Sequence, residues 1–242
     1  MIERVRTLKR ELGNRVVMPA HHYQRRELVG IADIVGDSYK LAVEVSRSKA
    51  EYILFCGVRF MAEGAAILAK RDQKVVLPAL HAGCPMADMI SVEQAEQAER
   101  SILELSGRDA VPVVYMNAYG DIKAFSGSRG GAVCTSSNAA RIITHYLRQG
   151  RSIFFAPDYC LGINTARQLG LPESSVAVVR QDGSISSSGA PSEVRLYLWD
   201  GNCRVHQRFS TKQIRALRET TPDARIIVHP EVPREVAELA DE

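Results

Sequence analysis

Residues 52–84 read YILFCGVRFMAEGAAILAKRDQKVVLPALHAGC, and this stretch decides the fold. An apolar run, YILFCGV (52–58), precedes FMAEGAAILAKR (60–71), which is rich in helix formers. A second apolar run, KVVLPAL (74–80), then ends in a glycine-containing loop at Cys84. Neither run alternates apolar with polar residues, so both faces of each strand are covered. Continuous apolar strands separated by helices define a parallel sheet sandwiched between helices. Toward the N-terminus the same grammar holds. RVVMPAH (15–21) and ADIVGDS (32–38) read as strands, and Asp37 and Ser38 are natural caps for the helix SYKLAVEVSRS. Residues 1–13 form an amphipathic helix, with Ile2, Val5, Leu8 and Leu12 at helical spacing, stopped by Gly13 and Asn14.

Toward the C-terminus the pattern repeats. A helix over 91–107 leads to the strand VPVVYMN (111–117) and then to the short strand GGAVCTSSN (130–138), which carries a capping cluster. The helix AARIITHYLRQ, the strand SIFFAPD (152–158), a short helix INTARQLG and the strand RLYLWDGNC (195–203) follow. Both copies run from a strand ending in a polar residue to a last strand that opens into a cysteine loop. His21 and Cys84 are 63 positions apart and Asn117 and Cys203 are 86 apart; the excess of 23 falls in 176–194, a Gly/Ser-rich stretch that reads as an inserted hairpin. ARIIVHPE (224–231) opens a third copy as another strand, followed by the helix PREVAELADE. Internal repetition of this kind governs the whole architecture. The expected fold is α/β: repeated three-layer αβα modules with parallel sheets around a pseudo-threefold axis. The modules span 1–90, 91–210 with the hairpin near 176–194, and 211–242, the last being the incomplete start of a third. Without the remainder of that module, Ile226, Val236 and Leu239 are expected to form an exposed apolar patch.

Composition excludes several function classes. Of 242 residues, 31 are Lys or Arg and 28 Asp or Glu, and a net charge of +3 is too weak for a nucleic-acid footprint or an anionic-membrane patch. No apolar stretch approaches the roughly 20 residues that span a bilayer, and the charged N-terminal segment has no signal-peptide core, which points to the cytoplasm. The five cysteines, Cys56, Cys84, Cys134, Cys160 and Cys203, are odd in number, widely spaced and never in CxxC, so neither a disulfide framework nor a zinc ribbon fits. There is no GxGxxG and no GxxxxGK[ST], against a nucleotide-binding Rossmann protein.

Ligands of parallel α/β units bind at the carboxyl ends of the strands. The residues just beyond each apolar run are therefore the informative ones: His21, Tyr23, Ser38, Cys84, Tyr115, Asn117, Ser136, Asp158, Cys203, His206, His229 and Glu231. Cys84 and Cys203 hold equivalent places in their modules. A third equivalent cysteine would complete three thiolates around an axis, suited to an iron–sulfur cluster with one iron open as a Lewis acid. Cys56 and Cys134 sit inside apolar runs and read as small buried hydrophobes, as does Cys160. His22, His81 and His145 read as surface or packing residues.

These motifs also carry a resemblance. AHHYQ (20–24), IADIVGDS (31–38), CGVRFMAE (56–63), AGCPMADM (82–89), VVYMN (113–117), VCTSSNA (133–139), GNCRVHQRF (201–209) and VHPE (228–231) together resemble the quinolinate synthase (NadA) family over essentially the whole chain. The resemblance implies a three-module enzyme with a [4Fe–4S] cluster held by three cysteines, one per module. It implies the condensation of iminoaspartate with dihydroxyacetone phosphate to quinolinate, phosphate and water, a step of de novo NAD biosynthesis, and an aspartate-oxidising enzyme that supplies the iminoaspartate. By motif, Cys84 and Cys203 look like the first two cluster ligands, the third being missing from this chain. His21, Tyr23 and Glu231 look like proton-transfer residues. Ser38, Tyr115, Asn117, Ser136, His206 and His229 look like substrate-binding residues. The chain departs from the family in four places: His22 replaces a usual Tyr, Val232 follows VHPE where Cys is common, PDYCLG (157–162) replaces a usual Asp-Lys-Asn, and 176–194 is an atypical insertion. The alternative reading is a cluster-free homologue that only binds a small dicarboxylate or phosphate.

Overall fold

A computed structural model describes residues 1–242. The chain divides into two compact units, Met1–Cys84 and Pro85–Glu242.

The first unit begins with α1 (Ile2–Leu12) and two short strands, β1 (Val16–Val17) and β2 (Pro19–His21). It continues through α2 (Arg26–Val29), β3 (Ile34–Gly36), α3 (Ser38–Arg47), β4 (Tyr52–Leu54), α4 (Arg59–Leu68) and β5 (Lys74–Val76). The sequence RVVMPAH thus forms two strands where one was expected, because Met18 breaks the ladder. Its N–H donates to the Asp33 carboxylate at 2.7 Å instead of to a neighbouring strand. β1 pairs parallel with β4, and β2 pairs parallel with β3. A bridge from Ala20 to Cys56 and the hydrogen bonds His21 N–H to Cys56 O (3.0 Å) and Cys56 N–H to Pro19 O (2.9 Å) join the two ladders. β5 completes the order beyond β4. The strands therefore run β3, β1/β2, β4, β5, all parallel, and the order reverses at β1/β2. Ile2, Val5 and Leu28 close one face over Met18, Ala20 and Ile31. Leu41, Ala42 and Val45 of α3 and Phe60, Met61 and Ala65 of α4 are buried as well.

The second unit contains α5 (Val92–Ser106), β6 (Ala110–Tyr115), α6 (Gly120–Ser128), β7 (Ala132–Cys134), α7 (Ala139–Arg148), β8 (Ser152–Ala156) and α8 (Tyr159–Gln168). Then come β9 (Val176–Val179), β10 (Ile185–Ser187), β11 (Leu196–Trp199), α9 (Thr211–Thr220) and α10 (Arg234–Ala237). The six-stranded sheet runs β10-β9-β11-β8-β6-β7, and only the β9–β10 pair is antiparallel. Here too the second strand lies on one side of the first and the third on the other, so the chain reverses between β6 and β8. The expected inserted hairpin is β9–β10. It extends the sheet at its edge by parallel pairing of β9 with β11 and turns at Gly183, whose φ is +83°. Every residue of β6, β8 and β11 is buried, as continuous apolar strands require. Trp199 packs edge-on to Phe154 and donates its indole N–H to Met89 O at 2.9 Å. α5 starts in a Ser91–Gln94 capping box and ends at Gly107, which takes the left-handed conformation (φ 66°) that closes a helix.

The C-terminal residues differ from expectation. ARIIVHPE is not a strand. Its backbone pairs locally, Val228 N–H donating to Glu242 O and Asp241 N–H to Ile226 O, each at 2.8 Å. The expected helix PREVAELADE is only the four residues of α10. Ile226 and Val236 are not an exposed patch either. α9, which starts in a Ser210–Gln213 capping box, brings Ile214 against Ile226, Val232 and Val236, with Leu239 packed partly buried beside them.

Candidate active site

Each strand order reverses at one point, and crevices at such points are where α/β proteins bind ligands. In the second unit the reversal lies between the carboxyl ends of β6 and β8. Tyr115 is the last residue of β6, and Asp158 follows β8 and caps α8 by accepting from Leu161 N–H at 2.6 Å. The loop after β11 carries Cys203 and leads into a short 3-10 turn that starts at His206. The loop before α10 carries His229 and Glu231.

These residues converge. Tyr115 donates its hydroxyl to Glu231 Oε1 at 2.6 Å. His206 Nδ1 lies 2.9 Å from Glu231 Oε2. The rings of His206 and His229 stack at 4.9 Å, and His229 Nε2 is 3.2 Å from Ser136 Oγ. Cys203, His206 and Glu231 place one ligand atom each within 4.8 Å of one another. Glu231 is 2% exposed, which demands compensation for its charge. Burial pushes its carboxyl up, but hydrogen bonds from His206 and Tyr115 and the nearby imidazoles outweigh that and hold it below the ordinary range. His206 is pushed up to about 10 by hydrogen bonding to Cys203 and then to Glu231. Tyr115 is held far above the usual phenol range by burial first and the Glu231 charge second. His229 is lowered, chiefly by burial.

Backbone architecture fixes these loops. Asn164 on α8 donates from Nδ2 to Pro230 O and Val232 O, both at 2.9 Å, and so grips the peptide on either side of Glu231. Tyr159 N–H donates to Gly201 O at 2.7 Å. Gly201 must be glycine, since a Cβ there would lie 2.3 Å from Pro157 O. Asn164 is the support that sequence reasoning left out of the site, and Asp158 is a strand-end candidate that it named without a role. Asp158 stands at a strand end, which is a readable signal. Asn164 is legible only as a polar residue on a buried helix. Asp158 is wholly buried, and its carboxyl is raised to about 7 by desolvation and then by the Glu231 charge.

The other expected site residues lie as follows. Asn117 is half-buried in the segment after β6. In the first unit, His21 ends β2 at that unit's own strand reversal, 7% exposed, and its ring centroid is 4.3 Å from that of His22 and 4.6 Å from that of Tyr23. Tyr23 is 83% exposed and donates its backbone N–H to His21 Nδ1 at 3.2 Å. His22 therefore belongs to the same ring cluster. Ser38 is the first residue of α3, while Asp37 alone supplies the capping oxygen, accepting from Lys40 N–H at 2.8 Å. Cys84 closes the loop after β5, whose Ala82 O accepts from Arg59 N–H at the start of α4 at 2.7 Å. The remaining thiols are buried. Cys134 is pushed up to about 12 and Cys160 to about 11, both chiefly by desolvation, and Cys56 is also raised.

Fold and site together define an α/β polypeptide with a thiol, an imidazole and a carboxylate gathered at the ends of parallel strands. The chain belongs to the NadA family, described as quinolinate synthetase A protein, which matches residues 3–242. It is 46% identical over 244 residues to a quinolinate synthase of Anoxybacillus flavithermus, covering 100% of this chain and 66% of the relative. A quinolinate synthase of Haloarcula marismortui is 43% identical over 240 residues, covering 99% of this chain and 64% of the relative. One of Streptomyces coelicolor is 45% identical over 247 residues, covering 100% and 62%. The chain thus spans just under two thirds of the length of these curated relatives. No helix is long and apolar enough to cross a membrane.

Proposed function

We propose that this chain supplies the first two modules of a cytoplasmic quinolinate synthase, together with the start of the third. The enzyme condenses iminoaspartate with dihydroxyacetone phosphate to quinolinate, with loss of phosphate and water, in NAD biosynthesis. Iminoaspartate would come from an aspartate-oxidising enzyme. The observation that carries this reading is the Tyr115–Glu231–His206 hydrogen-bonded chain ending beside Cys203. The enzyme names of relatives at 43–46% identity weigh against the cluster-free binding alternative.

The donor set fits a [4Fe–4S] cluster as far as this chain supplies it. Cys84 and Cys203 are partly exposed on strand-end loops, while Cys56, Cys134 and Cys160 are buried. The first two would hold the cluster, which supplies a Lewis-acidic iron to a substrate carboxylate or nitrogen. The chain's own residues do the rest. Ser136 in the loop before α7 and Ser38 at the start of α3 present hydroxyls to anionic groups near helix N-termini. Asn117 adds an amide donor. His206 and Tyr115 hold protons on either side of the Glu231 carboxylate, placing an acid–base group where isomerisation, dehydration and ring closure need protons moved. His21 and Tyr23 play the same part in the first unit.

The test is anaerobic reconstitution with iron and sulfide, then chromatography of the products formed from the two substrates. Cys84→Ala and Cys203→Ala should each abolish the brown chromophore and Cys56→Ala should leave it. A wild-type chain that stays colourless under strict anaerobiosis would overturn the reading.

A further inference from the structure

One face of α7 carries a basic stripe that the candidate active site does not use. Arg141, Thr144, His145 and Arg148 recur at i, i+3, i+4 and i+7, which places them in a row along the helix. Together with Ala140 and with Leu169, the residue after α8, they line an open groove of about 570 Å³, within the size range of small-molecule sites. No carboxylate lines this groove. Other arginines of the second unit are paired: Arg129 with Glu99 at 2.7 Å, Arg218 with Asp241 at 2.9 Å and Arg225 with Glu242 at 2.8 Å. Arg141 and Arg148 are exposed and make no ion pair. Cations in the last turn of a helix offset its dipole, which accounts for His145 and Arg148. The dipole does not account for Arg141, which stands in the first turn, where it opposes a cation.

We propose that this groove binds the phosphate chain of a small molecule, with Arg141 and Arg148 clamping a di- or triphosphate between them. Seven residues of helix set the two arginines about 10 Å apart along the axis. Their long stems let the guanidinium forks close inward on neighbouring phosphates, each fork matching two oxygens. A single phosphate satisfies one fork, and a diphosphate satisfies both. Ala140 and Leu169 give the groove an apolar wall on which the ring of a nucleotide rests. A net charge of +3 favours such a ligand over a nucleic-acid polymer. α7 follows β7 and α8 follows β8, so both helices run back toward the amino ends of the strands. Arg148 and Leu169 therefore lie at the end of the sheet away from Tyr115 and Asp158. The groove shares no residue with the candidate active site, and it stands independently of the quinolinate synthase reading.

The experiment is calorimetric titration of the full 242-residue chain, in low salt, with inorganic phosphate, pyrophosphate, ADP and adenosine. Pyrophosphate and ADP should bind at one equivalent and about 10-fold or more tighter than phosphate, because only they engage both forks. Tighter binding of ADP than of pyrophosphate assigns the apolar wall to a nucleotide ring, and equal binding assigns the site to the phosphate chain alone. Adenosine should not bind, and added salt should weaken both phosphate ligands. Arg141→Gln and Arg148→Gln should each lower pyrophosphate affinity by about 10-fold or more, with the circular dichroism spectrum unchanged. Arg225→Gln, on the far C-terminal segment, should leave it as it is. Three results overturn the site: no pyrophosphate or ADP binding at millimolar concentration, equal affinity for phosphate and pyrophosphate, or wild-type affinity in the Arg141→Gln, Arg148→Gln double variant. Binding of a DNA duplex but of neither small probe overturns it as well. None of these results bears on the cluster test, which uses iron, sulfide and the cysteine variants.

Discussion

Tyr115, Asn164 and His21 each show how a single side chain sets the site. The Tyr115 hydroxyl satisfies a buried carboxylate, so Tyr115→Phe leaves Glu231 Oε1 without its 2.6 Å donor and should cost about 1–3 kcal/mol, measured by urea denaturation. Asn164→Ala removes both bonds that grip the 230–232 peptide and should loosen it comparably, with protease cleavage near Glu231 as the readout. His21 is held down to about 4, first by burial and then by the neighbouring His22. An unfolded chain protonates this group near 6.5, so between pH 6.5 and 4 the unfolded state binds more protons and stability falls as pH drops. Its contribution is whole above pH 6.5 and is lost across that window, on the order of 1–2 kcal/mol after allowance for solvent screening. His21→Gln should flatten the unfolding midpoint over the same range.

At the scale of elements, what matters is where each helix and strand begins. α5 is bounded by a capping box and a left-handed glycine, and Ser91→Ala should destabilise the second unit by about 1 kcal/mol, read from the thermal midpoint. The start of β7 is far less tolerant. A Cβ on Gly131 would lie 1.9 Å from Pro112 O and 2.6 Å from Ser126 Oγ. Gly131→Ala must therefore push β7 off β6 and displace the Ser136 loop beyond it. The expected outcome is loss of soluble expression, or a collapsed melting transition where protein is recovered. Most strand and helix starts were readable from a cap, a glycine or a continuous apolar run, the Ser210–Gln213 capping box of α9 and the apolar run at 224–231 being the exceptions. α6 and α9 escaped notice. The former has little amphipathic contrast, and the latter lies in a charged stretch where only Ile214 is fully buried.

Across the whole molecule, two units share one strand order, and each reverses at the strand that carries its first candidate residue, His21 or Tyr115. That reuse explains why motifs far apart in sequence fall at equivalent strand ends. The C-terminal residues are held by a small cluster of their own, Ile214, Ile226, Val232 and Val236. Ile226→Ala should cost about 2 kcal/mol of local stability and free the 224–242 segment to proteases before the sheet melts.

The sequence by itself determined the α/β class, the parallel strands, the hairpin at 176–194 and the strand-end candidates, because apolar periodicity and caps are local signals. Motif resemblance also pointed to the NadA family from the same residues. Only tertiary structure decided that 224–231 pairs with the last two residues instead of forming a strand. Only tertiary structure placed Glu231 between Tyr115 and His206, with Asn164 gripping its peptide. Those outcomes depend on which backbone groups and buried charges find partners outside their own element, and no local pattern carries that information.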